Sequence, residues 1–167
     1  MTAPRTIVLL TLASVAGCAS DGGRGGSGSN DPGGMCQPIG GAVTGNETVG
    51  RFDYKVTGGF AGQGDGTSLQ IDGNGLVMRH TMQHGTESGQ IDPATLQDLV
   101  AKARAAQFPT LCAQYTCTGC DDDLIHSVSV QLNGIPYMVQ ASELASAPQR
   151  LEVLIQALQQ ILERPLS

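Results

Sequence analysis

The feature that most constrains this chain is an alternating apolar–polar run that stops at two adjacent glycines. Phe52, Tyr54 and Val56 alternate with Asp53 and Lys55, so residues 51–57 are predicted to form a strand with one buried face. Gly58 and Gly59 end it, because glycine accepts positive φ without the Cβ clash that other residues meet. Phe60, Ala61 and Gly62 follow, which puts one of the chain's three phenylalanines in a bend. Two readings attach to this bend. Phe60 either folds back onto the core, or stands out as an aromatic anchor for another protein's pocket.

The rest of the chain supplies elements that can hold such a bend. Residues 68–71 are predicted to form a second strand. Asp72-Gly73-Asn74-Gly75 is a strong hairpin signal, and residues 76–83 follow as the third strand. Asp92 fits a helix N-cap and Pro93 the first helical position. Ile91 and Leu96 sit where a hydrophobic staple would place them. Leu96, Leu99, Val100 and Ala103 make one apolar face, which ends at Phe108-Pro109. Val128, Val130 and Leu132 mark a fourth strand, Asn133-Gly134 a turn, and residues 137–140 a fifth strand. Leu151, Leu154, Ile155, Leu158, Ile161 and Leu162 recur at helical spacing up to Pro165. The expected architecture is α+β: a five-stranded, mainly antiparallel sheet with two helices on one face, in the order βββαββα.

The N-terminal part reads as export and tether. Arg5 precedes an apolar run, residues 7–13, that is too short to span a bilayer. The run leads into Val15-Ala16-Gly17-Cys18, which resembles a bacterial lipoprotein box with Cys18 as the acylated residue. Ala19 follows the cysteine rather than Asp, which by resemblance to lipoprotein sorting points to the outer membrane. Several acyl chains would give stable attachment where one would not. The expected divisions are a signal peptide at 1–17, a Gly/Ser-rich tether at 18–46 and a folded domain at 47–167. The formal charge of −6 and the lack of a Lys/Arg cluster argue against binding nucleic acid through its phosphates.

Several constellations could carry chemistry. Cys36, Cys112, Cys117 and Cys120 make an even count in an exported domain, which implies two disulfides with three possible pairings. Cys112, Cys117 and Cys120 also show a ferredoxin-type spacing, but no fourth cysteine lies downstream. A redox pair at Cys117 and Cys120 is disfavoured by Asp121, Asp122 and Asp123, which would raise the thiol pKa. The same acidic run lacks the spacing of an EF-hand, and His126 is its nearest histidine. Met78, His80, Met82 and His84 alternate, so a continuous strand would place all four on one face, a donor set that suits copper. Copper handling is therefore the alternative function, and a structural envelope module a third. No G-x-S-x-G, H-E-x-x-H or P-loop occurs, and the chain reads as a non-enzyme without a cofactor.

A strand ending in Gly58-Gly59-Phe60-Ala61-Gly62, a hairpin, a capped helix ending at Phe-Pro, an Asp before a V-x-V strand, and a final Leu-rich helix form one pattern. It resembles emfourin, the bacterial inhibitor of protealysin and other thermolysin-like metalloproteases, over about residues 51–163. The resemblance implies a non-catalytic domain that binds a metalloprotease, with the zinc belonging to the target. Only Gly58, Gly59, Phe60, Ala61 and Gly62 carry over as the partner-binding motif. The lipid anchor and the cysteine-bearing loop depart from that family's pattern.

Overall fold

Val49–Gly58 (β1) alternates buried and open residues from Phe52 to Val56, and the sheet is built outward from it. The computed structural model describes residues 36–59 and 66–166. On one side β1 pairs antiparallel with Thr67–Asp72 (β2), which pairs with Leu76–Thr81 (β3), which pairs with Gly85–Gln90 (β4). On the other side it pairs with Leu124–Leu132 (β6), then Ile135–Ser142 (β7). The two-residue Gln114–Tyr115 (β5) closes that edge, parallel to β7. The strand order is β4-β3-β2-β1-β6-β7-β5. Pro93–Ala106 (α1) follows β4, and Gln149–Glu163 (α2) follows β7.

This corrects the expected five-stranded, mainly antiparallel βββαββα sheet. Among the described residues there are seven strands, one pair is parallel, and the order is ββββαβββα. The first cause is the predicted third strand, 76–83. It breaks at Thr81, turns, and returns as β4, whose sequence Gly-Thr-Glu-Ser-Gly-Gln has no apolar residue to betray it. The pairing of β4 is fixed instead by charge. Glu87 lies opposite Arg79, and its carboxylate accepts from the Arg79 Nε at 2.7 Å. The second cause is β5, which is too short for any period. Its segment is held where Gln140 N–H donates to the Ala113 carbonyl at 2.9 Å.

Three cross-strand rows face the helices. Val77, Ile71, Phe52, Val130 and Tyr137 form one; Arg79, Leu69, Tyr54, Val128 and Val139 the next; Thr67, Val56, His126 and Ala141 the third. Against them lie Leu99 and Ala103 of α1 and Leu151, Leu154, Leu158 and Ile161 of α2, all in one continuous core. The opposite face is polar, with Asp53, Lys55, Gln70, Ser127 and Ser129 at its centre. Among the described residues no helix is long and apolar enough to cross a membrane.

Helix α1 starts as its sequence predicts. Asp92 caps it, accepting from Thr95 N–H at 3.0 Å, and Pro93 occupies the first turn. The start of the described chain is tied down by backbone bonds from Ile39 to Leu111 and from Gly40 to Pro109. A Cys36–Cys112 disulfide joins residues 76 apart. Closing a loop of that length stabilises by about 4 kcal/mol in the chain-entropy view.

Arg79 is the charged member of the core rows and is only 9% exposed. Besides pairing with Glu87, its Nη1 donates to the carbonyls of Leu162, at 2.7 Å, and Arg164. It thereby satisfies the open carbonyls at the C-terminal end of α2 and fastens that helix to the β3–β4 edge. Arg79→Met is expected to cost about 2 kcal/mol, since charged hydrogen bonds to otherwise orphaned carbonyls are lost. A shift of the urea midpoint to lower concentration, at unchanged slope, would register it; an unaltered midpoint would show that water replaces the guanidinium.

Candidate functional site

The end of the sheet where β1 stops brings together several of the residues singled out in the sequence. Gly58 and Gly59 take φ of +85° and +81°. Gly58 is still in register with Leu124, and Gly59 N–H donates to the Asp123 carbonyl at 3.0 Å. A Cβ on Gly58 would lie 2.4 Å from that same carbonyl oxygen. Glycine is therefore required at 58 on two counts, positive φ and close backbone approach. Phe60, Ala61 and Gly62 lie outside the described residues, as does Cys18. The chain is described again at Gly66, φ +86°, beside the ring of His80 and the side chain of Met82.

Asp123 organises the other flank. Its carboxylate accepts from the Ser142 hydroxyl and from Leu144 N–H, the latter at 3.3 Å. Glu143 N–H donates to the Leu124 carbonyl at 2.8 Å. One residue thus joins the Gly58–Gly59 bend to the end of β7. Immediately before it runs a loop closed by a Cys117–Cys120 disulfide, with Gly119 and Asp122 at positive φ. The rim of this end carries exposed apolar side chains, Met82 at 70% and Leu144 at 64%. Sequence reasoning passed over Ser142 and Leu144. Neither has a local signal, because both acquire their role from the β6–β7 register.

The cysteines resolve into Cys36–Cys112 and Cys117–Cys120. Cys112 is thereby removed from the trio that matched the ferredoxin spacing. The Met/His face does not survive as one strand face. Met78 and His80 are exposed on β3, where His80 Nδ1 lies 3.0 Å from the Thr86 hydroxyl. Met82 and His84 belong to the following turn, where His84 N–H donates to the Thr81 hydroxyl at 3.2 Å. Among the described residues no three His, Cys, Asp or Glu side chains come together as a metal would require.

His126 is turned into the core. It is buried, its Nδ1 is 2.8 Å from the Tyr54 hydroxyl, and the two rings are stacked with centroids 6.0 Å apart. Burial pushes the Tyr54 hydroxyl pKa up. Burial also pulls His126 below the ordinary histidine value, against the opposing influence of Glu143 and Asp123.

No family model, curated protein or solved structure matches the chain.

Gly58→Ala is expected to destabilise by about 2 kcal/mol or more, because a left-handed backbone and a blocked Cβ position act together. Gly134→Ala, also at positive φ (+82°) but with nothing within 4 Å of its added Cβ, should cost only about 1 kcal/mol. Equal losses in chemical denaturation would remove the claim that the Asp123 carbonyl needs glycine beside it.

Proposed function

We propose that this chain is a cell-envelope lipoprotein, acylated at Cys18, whose domain binds another protein through the bend at Gly58, Gly59, Phe60, Ala61 and Gly62. The partner class proposed is a thermolysin-like metalloprotease, which the domain inhibits without a cofactor of its own. The zinc in the complex belongs to the protease.

One observation carries the reading: the stalk of the bend is fixed. Gly58 and Gly59 both take positive φ, and Gly59 N–H is held by the Asp123 carbonyl at the end of a strand paired on both sides. A protein-binding loop benefits from such a base, because ordering costs met in folding are not met again on association. The exposed Met82 and Leu144 extend the apolar contact area on either flank. Binding hot spots are commonly built on an aromatic anchor with apolar neighbours that exclude water.

The test is inhibition of a thermolysin-like protease by the purified full chain. Wild type is expected to inhibit at micromolar concentration or below. Phe60→Ala should weaken inhibition at least tenfold, with its melting temperature little changed, as expected for a hot-spot aromatic. Full inhibition by Phe60→Ala would remove the bend as the contact element. No inhibition by wild type would remove the metalloprotease tested as its partner.

A further inference from the structure

Tyr54 and His126 are a hydrogen-bonded polar pair set among apolar core side chains, close to the end of β1 at Gly58. Tyr54 is 1% exposed and His126 6%. They occupy adjacent rows on neighbouring strands, since Tyr54 is opposite Val128 and His126 opposite Val56. Two residues beyond Val56 stands Gly58, and three before His126 stands Asp123. Any rearrangement of this pair is therefore felt where Gly59 N–H meets the Asp123 carbonyl.

The contact works in only one protonation state without rearrangement. A neutral imidazole with its proton on Nε2 accepts the Tyr54 O–H at Nδ1. An imidazolium carries protons on both nitrogens, so Nδ1 becomes a donor. The hydroxyl must then turn, accept, and direct its own proton elsewhere. Gln159 of α2 lies within hydrogen-bonding reach of it. The charged groups around the pair are Asp123 ahead of β6 and Glu143 beyond β7, facing His126, and Glu143 again with Glu163 of α2, facing Tyr54. Asp123 is already engaged by Ser142 and Leu144. A positive charge on His126 attracts that carboxylate through space and so acts on a group that those two bonds hold in place.

We propose that protonation of His126 is a built-in acid switch that loosens the junction of β1, β6 and β7 carrying the Gly58–Gly59 bend. The switch exists whether or not the bend binds a protein; only its effect on binding rests on the function proposed above. The direction follows from burial. The folded state holds His126 in its neutral form below the ordinary histidine pKa of about 6.5. The stability it contributes is complete above that value, and is lost as pH falls from there through the lower folded value.

The experiment is nuclear magnetic resonance of the full chain from pH 7.5 to 4.5. It follows the His126 ring signals and the exchange protection of the Gly59 amide. His126 should titrate below the ordinary value, and Gly59 protection should fall at least tenfold over the same interval. The Leu69 and Ile71 amides of β2 should keep theirs. In His126→Gln, which stays neutral, Gly59 protection should be flat with pH. Tyr54→Phe removes the hydroxyl and should move the His126 titration, a readout available should the glutamine variant not fold. A His126 titration at the ordinary value would overturn the proposal. So would Gly59 protection that ignores it, or that falls equally in His126→Gln. None of these readouts needs a partner, so they separate the switch from the Phe60→Ala inhibition test.

Discussion

Each of the three cross-strand rows of the core passes through β1, at Phe52, Tyr54 and Val56. The strand is paired on both sides, and those three side chains are all buried. A slip of one residue would exchange them for Arg51, Asp53 and Lys55, a charged set that the core has no means to satisfy. The register of β1 is thus set by burial, and everything at its end inherits that setting. Gly58 meets Leu124 and Gly59 meets Asp123 because Phe52 must meet Val130. The position of the bend is a consequence of the core rather than of the loop itself.

The two disulfides contribute to this at different scales. Cys36–Cys112 closes a long stretch and fixes the incoming chain against the β5 edge, so its effect is chiefly on the unfolded state. Cys117–Cys120 spans only three residues and can contribute little by that route. It shortens and shapes the loop that delivers Asp121, Asp122 and Asp123 to the start of β6. Among the described residues, Asp123 is the one whose backbone and carboxylate together join three strand ends. Local constraint on the residues before it therefore serves the bend more than the fold as a whole.

Much of this was legible in the sequence where apolar periodicity or turn chemistry determined the outcome. The alternation through Phe52, Tyr54 and Val56, the Asp92 cap and the Asn133-Gly134 turn all have local causes, and each appears where those causes place it. Legibility failed where the cause lies in another strand. The polar β4 exists through Glu87 answering Arg79 across the sheet, and no window of its own residues reveals that. Arg79 itself, within the Met/His alternation, gave no sign that it would cap α2 from inside the core. The same alternation does not form one strand face, because a turn after Thr81 separates its two halves. At the bend, Gly58 and Gly59 were readable as a stop, whereas the reason for Gly58, the Asp123 carbonyl, comes from sixty-odd residues away.

The central claim is that the chain meets its partner at the β1-terminal end of the sheet. Hydrogen-exchange footprinting of the full chain, alone and with a bound thermolysin-like protease, tests it most directly. The account predicts new protection at residues 58–66, at the 82–84 turn and from Asp121 to Leu124. Protection confined to the opposite end of the sheet, at Gly73–Gly75 and Asn133–Gly134, would contradict it.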